Sequence, residues 1–208
     1  MILTPIPDSE LPELLVSFTD SLSDDSFRSV FRRFVARGDP ARARGEICVK
    51  NHSDSIDLIT YFGIGMKPGS PRLDMSWDGT AFRVETEAYV LLHELAHYQL
   101  AAPLRRGTID FGLGPGPETG DRDRAERAAL LFGLEREREE AMASLLGILW
   151  EAELGQPALA SFLDQNWLEG AGKRGAAAHF ETTLADLTRG NFVTAEGRPT
   201  MALRQSAD

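Results

Sequence analysis

Residues 89–100 read YVLLHELAHYQL, and both the fold and the chemistry of the chain turn on them. Val90, Leu91, Leu92, Leu95 and Ala96 form an apolar run with no turn residue among them, so the segment reads as a helix packed in the interior. On a helix His93 and His97 stand one turn apart on one face, where two imidazoles can converge on a single metal ion. Glu94 lies about 100° around the helix from His93, placed to reach a metal-bound water without binding the metal itself. Imidazoles among aliphatic neighbours need partners, and a metal ion is one. The plainer alternative is a pair of core histidines with ordinary hydrogen bonds.

Two histidines leave an ion under-coordinated, so a third ligand is needed. A metzincin would take it from a histidine at 103, after a glycine at 100; the chain has Leu100 and Pro103, which excludes that scheme. The remaining scheme takes a glutamate from a later helix, and EREREEAMASLLGILW (135–150) offers Glu135, Glu137, Glu139 and Glu140. The apolar face of that helix runs through Ala141, Leu145, Ile148 or Leu149, and Ala152. Glu137 extends this face one turn earlier and is the expected third ligand. Glu140 shares its face with Ser144, Gly147 and Glu151, which reads as solvated, and Glu135 is intermediate; both stay open as alternatives. A Glu-rich run is most often a set of surface carboxylates. His52, within Asn51-His52-Ser53, reads as an exposed turn residue, and His179 as a core histidine or a further ligand.

Outward from the motif, residues 9–19 read as a short helix. Asp24 or Ser23 caps a firmer one, with Phe27, Val30, Phe31, Phe34 and Val35 at helical spacing and a stop at Gly38 and Asp39-Pro40. Between Gly45 and Trp77 the pattern changes. Ile47–Lys50, Ile56–Phe62 and Arg72–Trp77 are rich in β-branched and aromatic residues, and they predict two or three strands of a small sheet. After Asp78-Gly79 the chain reads as helical: Thr80 or Ala81 to Leu100, then 121–132, 135–153, 157–167 and 175–189, with a glycine-rich loop over 105–123 and an irregular, fraying tail beyond Asn191. The fold class is α+β, mostly helical, in a single domain over 1–208 with the small sheet preceding the HExxH helix.

Composition narrows the function. The chain has 208 residues, 42% hydrophobic and 26% charged, so wholesale disorder is excluded. Its single cysteine, Cys48, excludes an internal disulfide framework and a multi-cysteine zinc site. A net charge of −10 argues against nucleic acid as the main partner. The N-terminus lacks a signal-peptide pattern, and the apolar run Ala141–Trp150 is far short of the about 20 residues that span a bilayer. The expectation is a soluble cytoplasmic protein with no membrane partner.

The stretch HELAHYQLAAPLRRGTIDFG resembles the elongation factor P hydroxylases. The resemblance rests on His93, Glu94, His97, Ala101, Arg105, Arg106 and Asp110-Phe111-Gly112. More loosely it extends through Pro117, Gly120, Arg122 and Asp123, the segment Phe132 to Ala141, and Asn166, Leu168, Glu169 and Gly170. It covers roughly 80 residues. Tyr98-Gln99 stands where the family has Trp-Cys, Leu113-Gly114-Pro115-Gly116 replaces an aromatic run, and the family's single glutamate falls on Arg136. The resemblance implies a zincin-like, non-haem iron hydroxylase that oxygenates a modified lysine on a protein substrate, translation elongation factor P. It also implies that Arg105, Arg106 and Asp110 line the site mouth, with Asp110 orienting a ligand histidine, and that Asn166 and Glu169 belong to the site; without it the arginines read as a solvated loop pair, Asp110 as a turn residue, and Asn166 and Glu169 as helix-end residues. The alternative class is a zinc metallopeptidase of the gluzincin type, with Zn2+ in place of Fe2+ and Glu94 as general base. A binding module, with or without a structural metal, is the third.

Overall fold

The computed structural model describes residues 6–7, 9–36, 45–117, 119–169 and 174–206. Its helices are α1 (Leu11–Ser21), α2 (Asp25–Val35), α3 (Gly45–Tyr61), α4 (Ala88–Leu100), α5 (Arg122–Arg127), α6 (Gly133–Leu154), α7 (Ala158–Asp164) and α8 (Arg174–Arg189). Two three-residue strands, β1 (Gly65–Lys67) and β2 (Ala81–Arg83), pair in parallel with Met66 opposite Phe82. The fold is thus mostly helical with one small sheet, which fits the α+β expectation.

Helices α4 and α6 form the central pair. Leu91, Leu92, Leu95, Ala96 and Leu100 on the first, and Ala143, Leu145, Leu146, Ile148 and Leu149 on the second, are all fully enclosed. Beside them α1, α2, α7 and α8 bring together Phe18, Phe31, Phe34, Phe162 and Phe180, with ring centroids 4.7–6.5 Å apart. Edge-to-face and tilted aromatic pairs of this kind add to the area they bury. Helix α2 starts as expected, with Asp24 accepting from the Ser26 N–H at 2.7 Å.

The region between Gly45 and Trp77 corrects the sequence reading. Residues 45–61 form one helix where two strands were expected. Its buried positions, Asn51, Ser55 and Ile59, recur every four residues, but two of the three are polar. The helical period is therefore carried by hydrogen bonding: Gln156 donates from Nε2 to the Asn51 carbonyl (3.1 Å) and to Ser55 Oγ (3.2 Å). A search for apolar periodicity reads only the β-branched residues between them. Arg72–Trp77 is not a strand either; Pro71–Leu73 makes a 3-10 turn and Trp77 a single antiparallel bridge to Phe82.

The HExxH helix begins at Ala88 rather than near Thr80 because Ala81–Arg83 is taken up by the sheet. Asp78 sets that strand's start. Its Oδ1 accepts from the backbone N–H of Thr80 (2.9 Å) and Ala81 (3.0 Å), and Lys67 Nζ lies 2.7 Å from Oδ2. Gly79 follows at φ +91°, where a Cβ would come within 2.6 Å of the Gly107 carbonyl oxygen, so the position admits only glycine.

The C-terminal segment is anchored, against the expected fraying. Gln99, fully buried on α4, donates from Nε2 to the carbonyls of Thr200 (2.8 Å) and Ala202 (2.9 Å) and accepts from Trp150 Nε1 (2.8 Å). The Arg204 N–H donates to the Gln99 carbonyl at 2.9 Å. One of the departures from the hydroxylase pattern is therefore the residue that fastens the tail. No described helix is long and apolar enough to cross a membrane.

Candidate metal centre

The site is made where α6 crosses α4. A Cβ on Gly147 would lie 3.1 Å from His93 Cα and 3.2 Å from its backbone nitrogen, so the two helices approach as closely as a glycine allows. Ser144, Gly147 and Glu151 lie along this crossing, and Glu151 is buried. The face that reads as solvated is thus the helix–helix contact. Glu140, nearly two turns before Gly147, is carried by it to the two imidazoles.

His93 Nε2 and His97 Nε2 are 3.0 Å apart, and Glu140 Oε2 lies 3.8 Å from the first and 3.4 Å from the second. Three points with these separations lie on a circle of radius about 2 Å, which is the length of a zinc or iron bond to imidazole nitrogen or carboxylate oxygen. These are donors that a divalent cation takes. Both Nδ1 atoms are buried without a hydrogen-bond partner among the described residues.

The electrostatics are those of a cation site. Burial and the neighbouring His97 push His93 down to about 4, keeping it neutral. Burial opposes charge on His97, but Glu140 outweighs it and raises its pKa. Burial likewise opposes charge on Glu140, and the two histidines with Arg136 overcome it and lower the carboxyl to about 2. Glu140 therefore favours one positive charge, on His97, while burial and that charge disfavour a second on His93. Beside them Glu94, partly exposed on the cavity wall, is desolvated enough for its carboxyl to rise to about 8, with Ser76 as a hydrogen-bond partner.

Of the glutamates read from the sequence, Glu140 and not the expected Glu137 lies close enough to both imidazoles to hold a metal ion with them. Glu137 is exposed and stands on the wall of the same cavity, and Glu135 is exposed. Glu139 faces away into the protein, where Arg105 grips it through Nη1 (3.1 Å) and Nη2 (2.5 Å) while also donating to the Phe111 carbonyl at 2.8 Å. Arg105 is thus a buried strut and not a residue of the site mouth. Arg106 lies outside the site too: it donates to the Tyr98 carbonyl (3.1 Å) and to the Arg204 carbonyl. Asp110 does line the cavity, but it accepts from the Trp77 N–H (3.3 Å) and the Thr119 hydroxyl (2.7 Å), not from a ligand histidine. Asp110 and Phe111 both have left-handed backbones, φ 42° and 54°, and the Phe111 ring lies near-parallel to His97 at 5.9 Å.

Asn166 and Glu169 line the cavity, while Gly170 lies outside the described residues. His179 is on the cavity wall, exposed and stacked on Trp167, neither a core histidine nor within the donor cluster. His52 is half-buried on α3, with Nε2 2.9 Å from the Val84 carbonyl oxygen. Trp167, within the stretch NWLEG that the resemblance includes, also borders the cavity, as do Tyr89 and Thr119, to which the sequence does not point; only an aromatic count near the motif marks Tyr89.

The cavity has a volume of about 860 Å3. Glu94, Asp110, Glu137, Glu140 and Glu169 border it, and no lysine or arginine does so among the described residues. No protein-family model, curated protein or solved structure matches this chain.

Proposed function

We propose that the chain is a metal-dependent hydroxylase of the mononuclear non-haem type, zincin-like in its arrangement, acting in the cytoplasm on an amine-bearing side chain of a protein. The observation that carries this reading is the convergence of His93, His97 and Glu140 on a common centre at the wall of a large cavity. Two imidazoles and one carboxylate suit ferrous iron, which supplies open positions for dioxygen when bound. The cavity's carboxylates favour a cationic substrate group. Glu94 is the proton-handling residue beside the donors, a carboxyl on the cavity wall that burial raises to about 8. Resemblance to the elongation factor P hydroxylases supplies the candidate substrate, a modified lysine of that translation factor.

Anaerobic purification followed by metal analysis and mass spectrometry tests the reading. One iron per chain and, with an added two-electron reductant that carries the second oxygen atom to water, an O2-dependent gain of one oxygen on the modified lysine support it. Glu140→Gln should abolish metal retention and Glu137→Gln should leave it intact. Unchanged metal content in His93→Ala would refute a metal enzyme of any kind. A zinc metallopeptidase is the second reading, favoured by the position of Glu94 directly beside the donor cluster. Stoichiometric zinc, with cleavage of unfolded protein that Glu94→Gln removes, would select it over hydroxylation.

A further inference from the structure

The ring of His179 ends a stack of three. Phe162 lies under Trp167 at 5.8 Å and 21°, and His179 lies on Trp167 at 5.0 Å and 16°. The middle ring cannot shift. Trp167 is only 5% exposed, and its Nε1 donates to Ser144 Oγ at 2.7 Å, on the same helix as Glu140 and one turn from it. His179 itself is exposed, on a helix whose Ala177, Phe180 and Leu184 are buried. Its backbone carbonyl accepts from Thr183, whereas its ring nitrogens have no hydrogen-bond partner among the described residues. The imidazole laid flat on this fixed indole borders the same cavity as the metal donors, and its other face is covered by no described aromatic ring.

We propose that His179, backed by Trp167, is a binding subsite for a planar unsaturated group of the ligand that also reaches the metal centre. This rests on the metal reading of His93, His97 and Glu140. Stacking on a rigid platform restricts little that is not already restricted, so the group is held at low entropic cost. The subsite selects by shape and polarisability, and so accepts an aromatic ring, a heterocycle or an amide plane.

The test uses the full chain loaded with Zn2+ and titrated with hydroxamates, which chelate through one common group. Acetohydroxamate is compared with benzohydroxamate and its homologues carrying one or two methylenes between ring and chelate. At least one aryl member should bind about tenfold more tightly than acetohydroxamate, the upper end of what one aromatic pair contributes. His179→Ala should remove most of that preference while leaving Zn2+ and acetohydroxamate affinities unchanged, and His179→Phe should retain it. An aryl preference that survives in His179→Ala, or none in the wild type, overturns the subsite. Failure of acetohydroxamate to bind the loaded wild-type chain overturns the metal centre, and the subsite with it.

Discussion

Replacing Gly147 by alanine tests the claim that a close helix crossing builds the metal site. Within an exposed helix the change would stabilise by about 1 kcal/mol, because glycine is the poorer helix former. Here the new methyl would sit 3.1 Å from His93 Cα and 3.2 Å from its nitrogen, where ordinary contact begins at 3.4 Å. Both atoms are backbone, so relief requires α4 and α6 to separate by a few tenths of an ångström along a tightly packed core. Overpacking of this kind costs about 1–3 kcal/mol. The two effects oppose, and the net expected is a destabilisation of up to about 2 kcal/mol. Metal affinity should fall further than stability does. His93 and Glu140 are on opposite helices with donor atoms 3.8 Å apart, and metal–ligand distances tolerate only about 0.2 Å. A loss of about tenfold in affinity is expected, the low end of what disturbed ligand orientation causes. Urea unfolding of the metal-free chain and a competition titration with a chelating dye measure the two quantities. Gly175→Ala, whose Cβ would meet nothing within 4 Å among the described residues, is the control for helix propensity. If Gly147→Ala is more stable than wild type by about 1 kcal/mol and binds metal equally well, the crossing does not place the ligands and the argument fails.

Three further outcomes follow from buried polar groups. Gln99→Leu should destabilise the chain by about 2–4 kcal/mol, since it strands the Trp150 N–H and two tail carbonyls, and should expose residues 200–204 to proteolysis; an intact tail under protease would contradict this. Arg105→Met should cost about 3–5 kcal/mol by leaving Glu139 charged and unpaired, and adding Glu139→Leu should recover most of it; a double variant as unstable as the single one would show that the pair is not an isolated unit. Metal affinity should weaken as pH falls, beginning above the ordinary histidine value of 6.5 and reaching about tenfold per pH unit below it. The sign follows from His97: Glu140 raises its pKa above the ordinary histidine value, so below that value an incoming cation must displace a proton. Calorimetry in buffers of different ionisation enthalpy counts that proton, and an affinity flat across pH 5.5–6.5 would refute the coupling.

The legible parts of the fold are those where apolar spacing carries the information. Val30, Phe31 and Phe34 mark α2, and Leu91, Leu92 and Leu95 mark α4, because in each the buried face is hydrocarbon. Helix α3 was illegible for the opposite reason: Asn51 and Ser55 are buried through hydrogen bonds to Gln156, a residue about a hundred positions away. Ala81–Arg83 looked helical since a three-residue strand has too little length to show a period of two, and its partner Gly65–Lys67 is equally short. The tail is held by side-chain bonds from Gln99 and Arg106 to its backbone, and backbone acceptors leave no mark on the tail's own residues.

At the site, His93 and His97 were readable because an i,i+4 pair needs only the helix that contains it. The third donor needed knowledge of which α6 face meets α4, and there apolarity misleads. Ser144, Gly147 and Glu151 look like a solvated stripe, yet small residues are what a close crossing requires, and Glu151 is buried beside it. The apolar face through Ala141, Leu145 and Leu149 points to Glu137, one turn earlier on the same face. Helix α6 is enclosed nearly all round from Met142 to Ala152, so hydrophobicity cannot choose among its faces. What does choose is size: the helix axis that passes nearest His93 must carry the residue without a side chain. Glu140, seven positions before Gly147, comes round to the same face, and a glycine seven residues after a glutamate is the signal that singles it out from its neighbours.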